Sequence, residues 1–353
     1  MDRRSFAKSI SSIALVGTCP ASAAVPTTAS SQTLSQRHNH LGRELESLPS
    51  FDSPILFNST EADKVLAAMQ IMPVNSAWNE SIASNSVSVL SDSIIERIGR
   101  DKLLKVNYDM GFVLIPPRQP FVPLKVVGYP KESDAGPYPI PDNAPIENWP
   151  MDGSELSQLQ REGQGDRHVL VVDPWNQRLY ELGEAYKKDG YWEAGASAIF
   201  DLNTNRMRPA TWTSTDAAGL PIFPAVVRFD EVERGLVEHA MRFTVQATRR
   251  LFIYPARHYA SRITDTNLPA MGQRFRLRPN VNLSGLSKHA RAVALGLQQF
   301  GMFVADNGGD MRMSVAPDPR INGLEGLSRF KTSDFEVVTT TSEFEGSRSG
   351  STK

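Results

Sequence analysis

The stretch that decides the fold is HVLVVDPWNQRLYELGEAYKKDGYWEAGASAIFDL, residues 168–202. Its apolar runs are short, rich in β-branched and aromatic residues, and separated by turn-forming residues, a pattern typical of β-strands. Asp173–Asn176 and Lys188–Gly190 supply the turns, and an Asp-Gly pair is a strong hairpin signal. The stretch therefore predicts a meander with strands over His168–Val172, Arg178–Leu182 and Ala198–Leu202.

Similar runs extend on both sides of the meander. They predict further strands over Phe112–Ile115, Ala225–Phe229, Ala240–Val245, Arg250–Tyr254, Phe275–Leu277 and Met302–Ala305. Helices are expected from Thr60, over Ser91–Leu104, and after Ser287, whose hydroxyl caps a buried stripe that ends at Gly301. Because strands dominate and helices lie at the margins, the fold class is mainly β, an antiparallel β-sandwich of jelly-roll type with a few peripheral α-helices.

Composition limits the classes of partner. The chain has 353 residues, 40% hydrophobic and 22% charged, and could form one large domain or two small ones. Its net charge of −1 gives no electrostatic footprint for a nucleic acid or an anionic membrane surface, and we expect neither as a partner. Cys19 is the only cysteine, so a chain cleaved after it would contain no disulfide and no catalytic thiolate.

The N-terminus resembles an export signal. Asp2–Lys8 (DRRSFAK) matches the twin-arginine pattern, a short apolar run follows over Ile10–Gly17, and Ala21–Ala23 offers small residues to a signal peptidase. We expect a cleavable signal over residues 1–24, no integral membrane span, and a periplasmic or secreted location. The alternatives are an untargeted basic start and a lipoprotein signal ending at Cys19, which Thr18 disfavours.

The remaining chain divides by polarity. Residues 25–50 are polar and predict a disordered linker, in which His38 and His40 are solvated. Residues 51–342 predict a single globular β-rich domain, and residues 343–353 a disordered tail.

The segments that could carry chemistry match no mechanistic fingerprint, such as a nucleophile elbow, a zinc-binding helix or a phosphate loop. Asp216, in WTSTDAAGLP at residues 212–221, is the first candidate for a catalytic acid; the alternative is that it caps a turn. Asp230, His239 and His258 complete the catalytic candidates, because carboxylates and imidazoles in different environments can divide acid and base roles. Each histidine could equally be a structural residue.

Substrate-binding candidates are aromatic, basic or both. They are Arg257, Tyr259, Trp212, Trp175 and His168, although tryptophans more often belong to a core. Asp306–Asp310 (DNGGD) invites a calcium interpretation, but a tight hairpin joining Met302–Ala305 to Met311–Val315 is favoured. No metal-ligand spacing is recognisable, and the cofactor is left open.

Several of these stretches together are similar to one family. The segments DAGPYPIPDNAP (134–145), DRHVLVVD (166–173), WTSTDAAGLP (212–221), VADNGGD (304–310) and APDPR (316–320) resemble a widespread group of secreted bacterial proteins of unestablished activity. The resemblance covers about Pro73–Val337 and implies export, but no catalytic set.

The hypothesis that combines these observations is an exported carbohydrate-active protein. We expect a glycan-cleaving hydrolase or lyase acting on a polysaccharide or other extracytoplasmic glycan. Asp216 would work with His239 or His258 as acid and base, and Arg257 would hold the substrate. The alternative from another class is a noncatalytic glycan-binding or envelope-structural protein; a metal-dependent enzyme is less favoured.

Overall fold

Four β-sheets organise residues 37–340, the part of the chain that the computed structural model describes. In chain order the strands are β1 Arg37–His38, β2 Glu44–Leu45, β3 Ile55–Leu56, β4 Lys105–Tyr108, β5 Phe112–Leu114, β6 Leu124–Val126, β7 Val169–Asp173, β8 Arg178–Gly183, β9 Tyr186–Lys188, β10 Tyr191–Ala194, β11 Ala196–Asp201, β12 Met241–Val245, β13 Arg274–Leu277, β14 Met302–Asn307, β15 Arg312–Val315 and β16 Phe335–Val337. The helices are α1 Thr60–Ala67, α2 Ser91–Ile98, α3 Leu156–Leu159, α4 Phe229–Arg234 and α5 Lys288–Gln299.

Three sequence predictions fall outside the described residues. They are the export signal over residues 1–24, the first part of the linker, and the tail over residues 343–353. For residues 37–50 the prediction of a disordered linker is wrong, because β1 pairs with β2 and the Asn39 amide donates to Glu238 Oε2 at 2.9 Å. Leu45 is only 7% exposed. The folded domain therefore begins before Phe51.

The mainly β fold class is confirmed, since strand residues outnumber helical ones. The five-stranded sheet has the order β11-β8-β7-β5-β3, and the six-stranded sheet has the order β16-β13-β14-β12-β15-β4. The expectation of purely antiparallel pairing is wrong. The β5–β7, β12–β14, β4–β15 and β6–β10 pairs are parallel.

The predicted meander is confirmed as the centre of the five-stranded sheet. Strand β8 pairs antiparallel with both β7 and β11, and Lys188 opposes Tyr191 in the predicted hairpin between β9 and β10. Residues of β7 alternate between two apolar clusters: Val169 and Val171 pack into the smaller one, Leu170 and Val172 into the larger one. This sheet is therefore an inner layer with both faces buried.

The six-stranded sheet corrects the predicted hairpin at Asp306–Asp310. Strand β12 lies between β14 and β15, so the two strands do not pair, and the loop joining them crosses the end of β12. The loop is fixed there because Gly308 N donates to Val245 O at 2.8 Å and Thr244 Oγ1 donates to Gly309 O at 2.6 Å. Local turn chemistry predicted a turn, but the neighbour of each strand is set by tertiary packing.

A β-bulge decides where the side chain of Asp306 lies. In the β12–β14 pair Phe243 opposes Val304, but Thr244 opposes Asp306, so Ala305 is an extra residue. The extra residue shifts Asp306 to the opposite face from Val304, the face shared by Thr244 and Arg242. The bulge thus moves a carboxylate to the polar side of the sheet.

Three other predicted elements differ. The segment Ala225–Phe229 contributes only an isolated parallel bridge from Val227 to Val315, because it lies between a 3₁₀ turn over Phe223–Ala225 and α4, whose first turn carries two acids that favour a helix N-terminus. Arg250–Tyr254 contributes only an isolated bridge from Phe252 to Met271. Helix α2 ends at Ile98, before the predicted Leu104, because Gly99 adopts a positive φ of 111°.

The predicted helix after Ser287 is confirmed as α5, and its end provides a test. Ser287 Oγ accepts from Ala290 N at 3.1 Å, and Gly301 follows the helix with φ of +66°. A Cβ added at Gly301 would collide with the Phe275 carbonyl oxygen. A Cβ added at Gly285, which has a similar φ of +75°, would meet no atom within 4 Å.

We predict that Gly301→Ala lowers the free energy of unfolding by about 3 kcal/mol, since left-handed strain and overpacking add. The matched variant Gly285→Ala carries only the strain and should lose about 1 kcal/mol. Urea denaturation measures both. Equal losses would mean that the backbone of β13 yields to the new methyl group without cost.

Candidate functional site

A cavity of about 190 Å³ brings together segments that are distant in sequence. Its acidic and histidine lining residues are Asp166, His168, Glu184, His258 and Asp306. They come from the loop before β7, the end of β8, the segment after Pro255, and β14. The inner sheet and the six-stranded sheet thus both contribute to one site.

His168 is the most buried titratable group of the lining. It is 5% exposed, and its Nδ1 is buried without a hydrogen-bond partner. Burial, reinforced by the charge of Arg242, lowers the pKa of His168 to about 4. The imidazole is therefore neutral at physiological pH and has hydrogen-bonding capacity left for a ligand.

Asp306 has the opposite shift. Burial raises its pKa to about 7, and the negative charge of nearby Asp216 adds to the effect. Its Oδ1 accepts from Asn307 N at 2.6 Å. A carboxyl group with this pKa exchanges protons near neutral pH, which suits a general acid.

His258 lines the cavity, and one of its two ring nitrogens is bonded to the backbone. Its Nδ1 lies 2.8 Å from the Ala217 carbonyl oxygen, which can only accept, so Nδ1 carries the proton and Nε2 is left as an acceptor. The ring is stacked on Tyr259, with centroids 5.7 Å apart and planes 3° apart. Stacking and the hydrogen bond together fix the orientation of a potential base.

Asp216 lies beside the cavity but does not line it. The side chain is 1% exposed; its Oδ1 accepts from Ala218 N at 3.1 Å, and its Oδ2 accepts from Arg242 Nε at 3.2 Å. Burial raises the pKa of Asp216, and Arg242 opposes that rise. The geometry matches the turn-capping alternative, combined with neutralisation of a buried guanidinium.

Arg242 extends this pair into a buried network. Its Nη1 donates to Ser314 Oγ at 2.6 Å, and Ser314 Oγ donates to Asp109 Oδ2 at 3.2 Å. Burial raises the pKa of Asp109 to about 7. Sequence reasoning missed Arg242, Ser314 and Asp109, and it considered Asp306 only as part of a turn or a calcium loop. A signal existed only for Arg242, a charged residue inside an apolar strand.

Four of the five predicted substrate-binding residues are not among those lining the cavity: Arg257, Trp212, Trp175 and Tyr259, whose ring stacks on His258. Arg257 is buried and its Nε donates to Arg208 O at 2.9 Å. Trp212 lies 5.5 Å from the Arg208 guanidinium, and Trp175, 37% exposed, packs against Phe51. Their aromatic and basic character is used for local packing.

Asp230 and His239 lie in a separate buried ionic cluster with Glu231 and Arg228. His239 Nε2 lies 3.0 Å from Glu231 Oε2, and Arg228 Nη2 donates to Glu231 Oε1 at 2.6 Å. Asp230 Oδ2 accepts from Arg234 at 2.8 Å. Asp230 and His239 therefore belong to this ionic cluster and do not meet Asp216 or His258 at the cavity.

The ionic cluster predicts a pH-dependent stability. Burial alone would raise the pKa of Glu231. The neighbouring Arg228 and His239 outweigh burial and hold that pKa at about 2, below its ordinary 4.5. Because the pKa of Glu231 is lower in the folded state than in the unfolded state, the ionised carboxylate stabilises the folded protein at pH above 4.5. This stabilisation is lost as pH falls from 4.5 towards 2.

Glu231→Gln should therefore lower the free energy of unfolding by about 3 to 5 kcal/mol near neutral pH, because it leaves buried cations unpaired. Denaturation at about pH 7 and about pH 3 should show the difference from the unmodified protein shrinking in acid. Glu96→Gln is the control: this exposed acid pairs with Arg100 at the surface and should change stability little. A pH-independent loss for Glu231→Gln would contradict the assignment.

Comparison of the chain with protein-family profiles, curated proteins and solved structures gave no match. Within residues 37–340, no group of three or more His, Cys, Asp or Glu side chains could hold a metal ion. None of the helices in this part of the chain is long and apolar enough to cross a membrane. The geometry of the cavity is thus the observation on which a function must be argued.

Proposed function

We propose that the protein is an exported glycan-cleaving hydrolase whose reaction takes place in the cavity of Asp306, His168 and His258. One observation carries the proposal: an acid with a raised pKa and two imidazoles line one cavity on a rigid β scaffold. Groups whose environments separate their pKa values are the usual basis of acid and base assignments.

The roles follow from the protonation states. Asp306 keeps its proton up to about pH 7 and can protonate a leaving oxygen. His258 Nε2 is an acceptor, oriented to take a proton from water. His168, neutral and lacking a partner at Nδ1, can hydrogen-bond a substrate hydroxyl. Asp216 acts through Arg242 and Asp306 as a positioning residue.

The charge of the lining favours a hydrolase over a lyase. Asp166, Glu184 and Asp306 contribute carboxyl groups, and of the described lining residues none is Lys or Arg. Such a lining repels the uronates that lyases commonly cleave, and it stabilises the positive charge that develops during glycoside hydrolysis. Tyr129, 55% exposed, adds an aromatic surface suited to a sugar ring.

Export through the signal at residues 1–24, to the periplasm or beyond, is part of this proposal. The sandwich arrangement of the two large sheets stays a prediction, and the proposed reaction does not depend on it. A glycan as partner is likewise proposed from the chemistry of the lining.

The proposal is tested with the full chain on neutral and uronate-containing polysaccharides. We expect new reducing ends from a neutral glycan without the ultraviolet absorbance of unsaturated products. Asp306→Asn should lower kcat by about a hundredfold or more while the melting temperature is retained. Activity of the unmodified protein should fall as pH rises above 7, because Asp306 loses its proton.

Asp310→Asn is the matched control for this test, because Asp310 lies in the loop that follows β14 and is not part of the cavity lining. It should leave kcat unchanged. Unsaturated products would overturn the hydrolase in favour of the lyase. A folded protein that is silent on every glycan would support the noncatalytic binding or envelope-structural alternative.

A separate variant distinguishes positioning from catalysis at Asp216. Asp216→Asn should lower the free energy of unfolding by about 3 to 5 kcal/mol, because it leaves the buried Arg242 charge unpaired. Urea denaturation measures the loss. Full stability with abolished turnover would instead return Asp216 to the catalytic role expected from the sequence.

A further inference from the structure

One buried acid beside the cavity has no part in the reaction proposed above. Glu181 lies on β8, its side chain is fully buried, and none of the described residues pairs with it as a cation. Its partners are neutral donors, the backbone N–H groups of Ile222 and Phe223 and the hydroxyl of Thr215. Glu181 can therefore gain or lose a proton without breaking an ion pair.

The two carboxyl oxygens of Glu181 have different partners. Oε1 accepts from Ile222 N at 2.8 Å and from Phe223 N at 3.1 Å, whereas Oε2 lies 3.1 Å from Thr215 Oγ1. Because backbone N–H groups only donate, Oε1 is an acceptor and is already fully used. A proton bound by this carboxyl group therefore lies on Oε2, the oxygen that faces Thr215.

Thr215 connects this acid with the cavity. Its side chain is half-buried and lines the same cavity as His168 and Asp306. The hydroxyl has one hydrogen to donate, and among the described residues its hydrogen-bond partner is Glu181. The direction of that hydrogen bond decides whether Thr215 can donate to a molecule bound in the cavity.

We propose that Thr215 contacts the glycan bound in the cavity and that Glu181 is a positioning residue whose proton decides whether Thr215 donates or accepts. When Oε2 carries the proton, it donates to Thr215 Oγ1, and the Thr215 hydrogen is available to an oxygen atom of the substrate. When Glu181 is ionised, Thr215 donates to Oε2 and can only accept from the substrate. Glu181 itself does not line the cavity, and the inference rests on the site of the hydrolase proposed above.

The surroundings of Glu181 place this change near neutral pH. Burial raises the pKa of Glu181 to about 7, the three hydrogen bonds oppose that rise, and the negative charge of Asp216 adds to it. On the neighbouring strands Leu170 of β7 and Ala198 of β11 are paired with Glu181, and neither these residues nor the 3₁₀ turn that donates to it has a titratable side chain. Below about pH 7, Thr215 is therefore able to donate to a substrate.

Nuclear magnetic resonance of the full chain with isotopically labelled glutamate and threonine tests the pairing without a ligand. We expect the Glu181 carboxyl resonance to titrate with a midpoint of about 7 and the Thr215 methyl resonance to shift with the same midpoint. In Glu181→Gln the side-chain oxygen still accepts from both backbone N–H groups and the amide always donates to Thr215 Oγ1, so the Thr215 shift should disappear. A Thr215 resonance that does not titrate, or that still titrates in Glu181→Gln, would overturn the inference.

Two further variants make the assignment specific. Asp306→Asn removes a second acid with a pKa of about 7 from the cavity and should leave the Thr215 shift in place. Thr215→Val replaces the hydroxyl with a methyl group and should raise the midpoint of the Glu181 titration, because the lost hydrogen bond lowers the pKa of Glu181. An unchanged midpoint would contradict the hydrogen bond on which the inference depends.

Binding measurements test the contact with substrate. The ligand is the neutral polysaccharide from which the unmodified protein releases reducing ends, and the protein carries Asp306→Asn, which keeps the ligand intact and removes the Asp306 titration. Affinity should fall about fivefold between about pH 6 and about pH 8, since one neutral hydrogen bond is worth about that factor. Adding Glu181→Gln should keep the higher affinity at both pH values, and adding Thr215→Val should give the lower affinity at both. A pH dependence that is equal with and without Glu181→Gln would overturn the substrate contact.

The outcomes separate this inference from the function on which it rests. If neutral glycans are cleaved but the Thr215 resonance does not follow Glu181, the hydrolase stands and the inference fails. If no glycan is cleaved, the substrate contact fails together with the hydrolase, whereas the titration of Thr215 still decides whether Glu181 sets the direction of its hydrogen bond.

Discussion

The interaction on which the site depends is the buried pair of Arg242 and Asp216. Arg242 lies on β12, inside the six-stranded sheet, where an unpaired guanidinium would be prohibitively costly. Asp216 neutralises it from a loop outside the sheet, and Ser314 and Asp109 satisfy a further donor. One ionic requirement therefore ties the WTSTDAAGLP segment, β12, β15 and the end of β4 together.

This pair also sets the protonation states in the cavity. The charge of Arg242 adds to burial in keeping His168 neutral, and the charge of Asp216 adds to burial in keeping the proton on Asp306. Arg242 and Asp216, which do not line the cavity, thus favour a protonated acid and a neutral imidazole within it. The bulge at Ala305 is equally necessary, because without it Asp306 would lie on the apolar face.

A second ionic centre, around Glu231, has a different role. Arg228 and His239 use the Glu231 carboxylate fully, and Asn39 from the N-terminal hairpin reaches Glu238 beside it. Pairing of both oxygens of a buried carboxylate is typical of a structural network, although Arg228 Nε and Asp230 Oδ1 beside it have no hydrogen-bond partner among the described residues. Glu231, Glu238 and His239 thus belong to a buried ionic cluster next to the N-terminal hairpin, whereas Asp306, His168 and His258 line the cavity.

The sequence by itself determined what depends on neighbours along the chain. The meander of β7 and β8, the Lys188–Gly190 hairpin and the Ser287 cap of α5 are recognisable because strand propensity, turn chemistry and capping act within a few residues. It also singled out His168 and His258, which line one cavity, and Asp216, which lies beside it. It placed Asp230 and His239 wrongly beside them, because spacing does not report which acids converge.

Only the tertiary structure decided the order of strands, the insertion of β12 between β14 and β15, and the bulge that turns Asp306 towards Arg242. It also decided that Arg257, Trp175 and Trp212 pack locally while Glu184 and Asp166 line the cavity. These features join residues far apart in the chain. Their energies come from burial and pairing of charges, which no local pattern of residues encodes.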